Sequence, residues 1–83
     1  MALIVCERKF PKPITLEQFQ DAGKPLGPCL DVRGIRWLGS AFSADGSKSV
    51  CRFEAVDAES VRQANREASC PFEHVWAANE LGP

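Results

Sequence analysis

The sequence predicts an α+β domain whose elements run β-α-β-β-α-β, and three local signals carry that prediction. Thr15-Leu16-Glu17-Gln18 has the pattern of a capping box, in which the Thr15 hydroxyl and the Gln18 side chain satisfy each other's backbone N–H groups and start a helix. Asp45-Gly46 sits between two runs of strand character, and that dipeptide tolerates the positive φ values a tight hairpin demands. Asp57 precedes a stretch with helical periodicity and places a side-chain acceptor at its first free amides.

The elements follow in order. Residues 2–8 form a short Val/Ile-rich run ended by charge, which predicts a strand, and Phe10-Pro11-Lys12-Pro13 turns the chain out of it. Leu16, Phe19 and Ala22 make one apolar helical stripe. Gly23, Pro25, Gly27 and Pro28 cut that helix short, and a second helical turn is expected from about Pro28 to Val32, closed by Gly34. Residues 35–43 read as the second strand and residues 48–55 as the third. The helix after Asp57 runs over 58–68, with Val61, Ala64, Asn65 and Ala68 on one face, until Ser69-Cys70-Pro71 stops it. Residues 72–78 form the last strand, and residues 79–83 are a tail.

Residues 1–83 are therefore one domain, since 83 residues hold no second core. The connection rules favour a four-stranded antiparallel sheet in the order 4-1-3-2 with two helices on one face, the ferredoxin-like arrangement. Strand alternation then sorts the side chains. Cys51, Phe53 and Ala55 oppose Val50, Arg52 and Glu54; Val75 and Ala77 oppose His74, Trp76 and Ala78. On the second strand Ile35, Trp37, Gly39 and Ala41 are expected to oppose Arg36, Leu38, Ser40 and Phe42. The face without helices keeps apolar residues on most strands, which points to a homodimer packed sheet to sheet, a dimeric α+β barrel with a cavity between the sheets. Trp37 and Trp76 are then dimer core, lining of a ligand pocket, or both.

Composition narrows the function. Ten Lys and Arg face eleven Asp and Glu, for a net charge of −1, which argues against a nucleic-acid binder. No apolar run approaches the roughly 18 residues that a membrane span needs. The start reads as a strand rather than a signal peptide, so a reducing cytoplasm is expected, with free thiols at Cys6, Cys29, Cys51 and Cys70. Those thiols are buried small hydrophobes or metal ligands. No Cys-x-x-Cys pair, Gly-x-Ser-x-Gly elbow or Gly-rich phosphate loop is present, and His74 is the only imidazole.

Four stretches together resemble one family. Val5-Cys6-Glu7-Arg8-Lys9-Phe10-Pro11 is similar to its VER-x-F-P opening, and Thr15-Leu16-Glu17-Gln18 to its first-helix start. Gly34-Ile35-Arg36-Trp37-Leu38-Gly39-Ser40 resembles its GVRWLRSY strand, and Cys51-Arg52-Phe53-Glu54-Ala55-Val56-Asp57 its C-x-Y-E-A-P-D block. The family is an uncharacterised bacterial one of small ferredoxin-like proteins often described as nickel-binding. The resemblance implies a ferredoxin-like fold, a dimeric assembly, no established enzymatic activity, and a divalent transition metal, nickel above all. It implies Glu7, Cys51 and Cys70 as metal ligands, to which His74, the only imidazole, could add a donor; thiolate, carboxylate and imidazole all suit such an ion. Glu7 stands where nickel-binding relatives can carry histidine, Val56 where proline is usual, and Pro25 and Pro28 interrupt a helix that normally runs on. The alternative is a dimer that binds or transforms a small organic molecule in the inter-sheet cavity near Trp37 and Trp76. A third reading has the open face docking another protein.

Overall fold

In a computed structural model describing residues 1–83, the chain runs β1 (Ala2–Lys9), α1 (Leu16–Gly23), α2 (Leu26–Asp31), β2 (Arg36–Phe42), β3 (Lys48–Ala55), α3 (Ala58–Glu67) and β4 (His74–Ala78). The four strands form one antiparallel sheet in the order β2-β3-β1-β4, which reads 4-1-3-2 from the opposite edge. The helices number three rather than two. Lys24 and Pro25 keep helical dihedrals, but Pro25 has no N–H to continue the ladder, so α1 ends at Gly23 and α2 starts afresh at Leu26. The second helical segment thus begins two residues before Pro28. β4 likewise begins at His74, two residues later than expected, and Phe72 instead lies under the Arg66 guanidinium at 5.8 Å.

Both expected caps form. Thr15 Oγ1 accepts from the Gln18 N–H at 3.1 Å while Gln18 Oε1 accepts from the Thr15 N–H at 2.9 Å. Asp57 Oδ1 accepts from the Ser60 N–H at 2.8 Å, and Glu59 and Arg66 sit at the ends of α3 where the helix dipole favours their charges. The β2–β3 hairpin tip is knotted by Asp45, whose carboxylate accepts from the Ser47 hydroxyl, the Ser47 N–H and the Ser43 hydroxyl. Those bonds, the Ser47 hydroxyl first, hold its carboxyl down to about 2.

The core lies between the sheet and the helices. Ile4 and Cys6 from β1, Cys51, Phe53 and Ala55 from β3, and Val75 from β4 meet Leu26 and Leu30 of α2 and Val61 and Ala64 of α3. Helix α1 contributes no fully buried residue; its Phe19 is half-buried against the cluster and stacks on Phe42 at 4.9 Å between ring centroids.

Strand β2 departs from the expected alternation. Trp37 pairs with Phe53 but Gly39 pairs with Arg52, so Leu38 is an extra residue, a β-bulge. Gly39 takes φ +134° there, a value that side-chain-bearing residues rarely adopt. Beyond the bulge the phase inverts: Ser40 and Phe42 pair with Cys51 and Ser49 on the helix side, and Gly39 and Ala41 turn to the open side. No helix is long and apolar enough to cross a membrane.

Candidate functional site

The register fixes what each face of the sheet offers. On the open face, Glu7 of β1 is the direct cross-strand partner of His74 on β4 and of Val50 on β3. Side chains so paired in an antiparallel ladder have Cβ atoms about 4.5–5.5 Å apart. Trp76, two residues along β4, donates its indole N–H to Glu7 Oε2 at 2.7 Å, which fixes one carboxylate oxygen and leaves the other free. Around this pair lie Leu3, Val5, Val50 and Trp76, with the Arg36–Glu54 and Arg52–Glu80 ion pairs toward the far side. Trp76 is 45% and Val50 37% exposed, so the apolar surface here is uncovered in the single chain.

The helix side offers something different. A cleft of about 600 Å³ opens between the sheet and the α1–α2 segment. Phe10, Phe19, Leu30, Trp37 and Phe53 give it apolar walls, and Arg8, Ser40, Cys51 and Cys70 give it polar atoms. Arg8 belongs to β1 but is buried, 9% exposed, on the helix side. Its Nη1 donates to the Pro71 carbonyl at 2.9 Å and the Cys70 carbonyl at 3.5 Å, and its Nη2 to Asn65 Oδ1 at 2.6 Å. Asn65, itself buried in α3, donates onward to the Val61 carbonyl at 2.8 Å.

The three residues expected as metal ligands are thus divided. Glu7 faces the open side, whereas Cys51, paired with Cys6 and 5% exposed, faces the helices among the core residues, and Cys70 lies with it on the cleft wall. The sheet stands between the carboxylate and both thiols, so one chain cannot bring Glu7, Cys51 and Cys70 onto one ion. No group of three or more His, Cys, Asp or Glu side chains is placed to hold a metal ion. The shared tryptophan cavity is also corrected. Trp37, in register with Phe53, is on the helix side, and Trp76, in register with Val5, is on the open side. Sequence reading missed Arg8 and the helix-side cleft; the signal available was a charged residue at the fourth position of the same alternating set as Ala2, Ile4 and Cys6.

All four cysteines are free. Burial pushes the Cys70 thiol up, against the pull of the Arg8 guanidinium, and pushes the fully buried Cys6 thiol from 9.0 to about 11. The Cys6 shift links folding to pH. Above pH 9.0 the unfolded chain loses a proton that the folded chain keeps, so the contribution is complete below 9.0 and disappears as pH rises to about 11. Two pKa units correspond to about 3 kcal/mol. Urea midpoints are expected to fall between about pH 8 and about pH 11, and Cys6→Ala to flatten that slope; a slope unchanged in the variant would assign it elsewhere.

A family described as nickel responsive protein SCO4226-like matches residues 5–77. Among solved structures, the crystal structure of SCO4226 from Streptomyces coelicolor A3(2) superposes with a TM-score of 0.86 over 98% of this chain and 100% of that one, at 14% sequence identity. At that identity the likeness is one of fold. No curated protein matches the sequence.

Proposed function

This chain belongs to the SCO4226-like family of nickel-responsive proteins, and on that premise we propose that it binds a divalent transition metal, nickel first, between the open faces of two copies. The observation that carries the reading is the cross-strand pairing of Glu7 with His74, a carboxylate and an imidazole side by side on the uncovered face. One copy supplies two donors, too few for a stable site. A second copy related by a two-fold axis supplies the same two, because such an interface is self-complementary. Two imidazole nitrogens and two carboxylate oxygens form a nitrogen–oxygen set that suits nickel in a square-planar or tetragonal geometry. The Trp76 indole, by holding one oxygen of Glu7, orients the carboxylate as an outer-shell partner does. Leu3, Val50 and Trp76 supply the apolar contact that brings the copies together. No proton or group transfer is assigned to this site; the chain binds the ion and responds to it by association.

Native mass spectrometry of untagged protein titrated with nickel tests this. The expected result is one nickel per dimer. Glu7→Ala and His74→Ala, both at positions outside the core, are expected to lower nickel affinity by at least about 100-fold while leaving the fold intact. Nickel bound by the monomer, or retained by both variants, would overturn the assignment.

A further inference from the structure

We propose that the cleft on the helix side, opposite the face discussed above, binds an apolar monocarboxylate, with Arg8 receiving the carboxylate and the aromatic walls receiving the chain. Arg8 is a buried cation without a counter-anion. It takes part in none of the six ion pairs of the molecule. Its three hydrogen bonds all go to neutral oxygens, those of Pro71, Cys70 and Asn65. A guanidinium has five N–H donors, so the Nε proton and one Nη2 proton have no protein acceptor. Burying a charge is costly unless it is paired, and buried cations in proteins meet an anion as a rule. Here the missing anion is matched by open space, because Arg8 lines the cleft.

Two further observations point the same way. Ser49, the direct cross-strand partner of Arg8, is 2% exposed, and its hydroxyl is the one buried side-chain polar atom with no hydrogen-bond partner. Polar capacity beside the guanidinium therefore exceeds what the protein fills. Of the charged groups lining the cleft, Lys24 pairs with Asp21 and Arg36 with Glu54, which leaves Arg8 as the one cation there without an ion-pair partner, a setting that favours an anionic occupant. The remaining wall is mainly apolar, with Phe10, Phe19, Leu26, Leu30 and Phe53. A volume of about 600 Å³ falls within the range of small-molecule pockets. The combination selects one charged head and one hydrocarbon body. Helix α1, which forms part of the wall and buries no residue of its own, gives the chain its way in.

Calorimetric titration of the intact protein with decanoate and decyltrimethylammonium below their micellar concentrations, and with decan-1-ol below its solubility limit, reads the head-group preference directly. Decanoate is expected to bind one per chain and at least about tenfold more tightly than the alcohol or the cation, the worth of one charge-assisted hydrogen bond. It is also expected to slow alkylation of Cys70, which lines the same cleft. Arg8→Gln is expected to erase the preference. Equal binding of the acid and the alcohol, absence of decanoate binding, or an undiminished preference in Arg8→Gln would overturn the proposal. Where that variant does not fold, the three-ligand comparison and the Cys70 protection on unaltered protein decide it. Nickel binding by Glu7 and His74 is on the other side of the sheet and succeeds or fails separately.

Discussion

Phe53→Ala is expected to cost about 3–5 kcal/mol, the range for deleting a fully buried aromatic ring. Phe53 is 1% exposed, sits on the central strand β3 opposite Ile4 on one side and Trp37 on the other, and is the largest fully buried side chain. The ring is shared by the core and by the floor of the cleft, so its removal merges an internal cavity with an existing one and leaves little to collapse into the space. A domain of this size has roughly 4–12 kcal/mol of stability in all. The variant should therefore show a urea midpoint at about three-quarters of the original value or lower. A midpoint within about a tenth of the original would mean that the core is not organised around this ring.

Gly46→Val should be nearly as damaging, at about 2–4 kcal/mol, for a reason that lies in the backbone. Gly46 has φ +76°, in the left-handed region that a β-branched residue avoids. A Cβ there would run into the carbonyl oxygen of Ile14, and the Gly46 carbonyl accepts the Ile14 N–H at 3.0 Å. The hairpin tip is thus pressed against the segment that leads into α1, and any side chain forces the two apart. Gly27→Ala is the contrasting substitution. Gly27 has ordinary helical dihedrals and nothing within 4 Å of an added Cβ, so alanine should add about 0.5–1 kcal/mol by removing unfolded-state freedom. Thermal melts of the two variants are expected to move in opposite directions.

Much of the fold was legible because its signals are local. Thr15, Gln18 and Asp57 act within four residues of themselves, and Asp45-Gly46 acts within one turn. The alternation along β3 and β4 correctly set Cys51, Phe53 and Ala55 against Val50, Arg52 and Glu54, and Val75 against His74 and Trp76, because an unbulged strand has a strict period of two; that Cys51 is core rather than a ligand came only with the sheet's placement against the helices. The second strand defeated the same rule. A bulge adds one residue with no compositional mark beyond Gly39, and every side chain after it changes sides. The helix boundary at Gly23 was visible in Pro25, but the start of α2 at Leu26 depends on Leu26 and Leu30 finding the sheet, which is tertiary. The residues expected as metal ligands illustrate the larger gap. Glu7 and Cys6 are adjacent in sequence and lie on opposite faces, so the choice between them turns on register, and only register joins Glu7 to His74. Arg8 was invisible as a site because a lone arginine at a strand end ordinarily reaches water; its burial is imposed by Asn65 and the Pro71 turn, more than fifty residues away.

The placement of the tryptophans on either side of the sheet, with Trp37 next to the bulge at Leu38, has a spectroscopic consequence. Trp37, just before the bulge, stays on the helix side opposite Phe53 while Trp76 lies on the open side, so the molecule has two indoles that sample separate surroundings. Trp37 donates to Ser40 Oγ at 2.9 Å on the wall of the cleft, and Trp76 donates to Glu7. Emission from the first is tied to the polarity of the cleft, and emission from the second to the surroundings of the Glu7 carboxylate. Each side of this small sheet therefore carries its own intrinsic fluorophore, and the two single-tryptophan proteins, Trp37→Phe and Trp76→Phe, report separately on the helix-side cleft and on the open face.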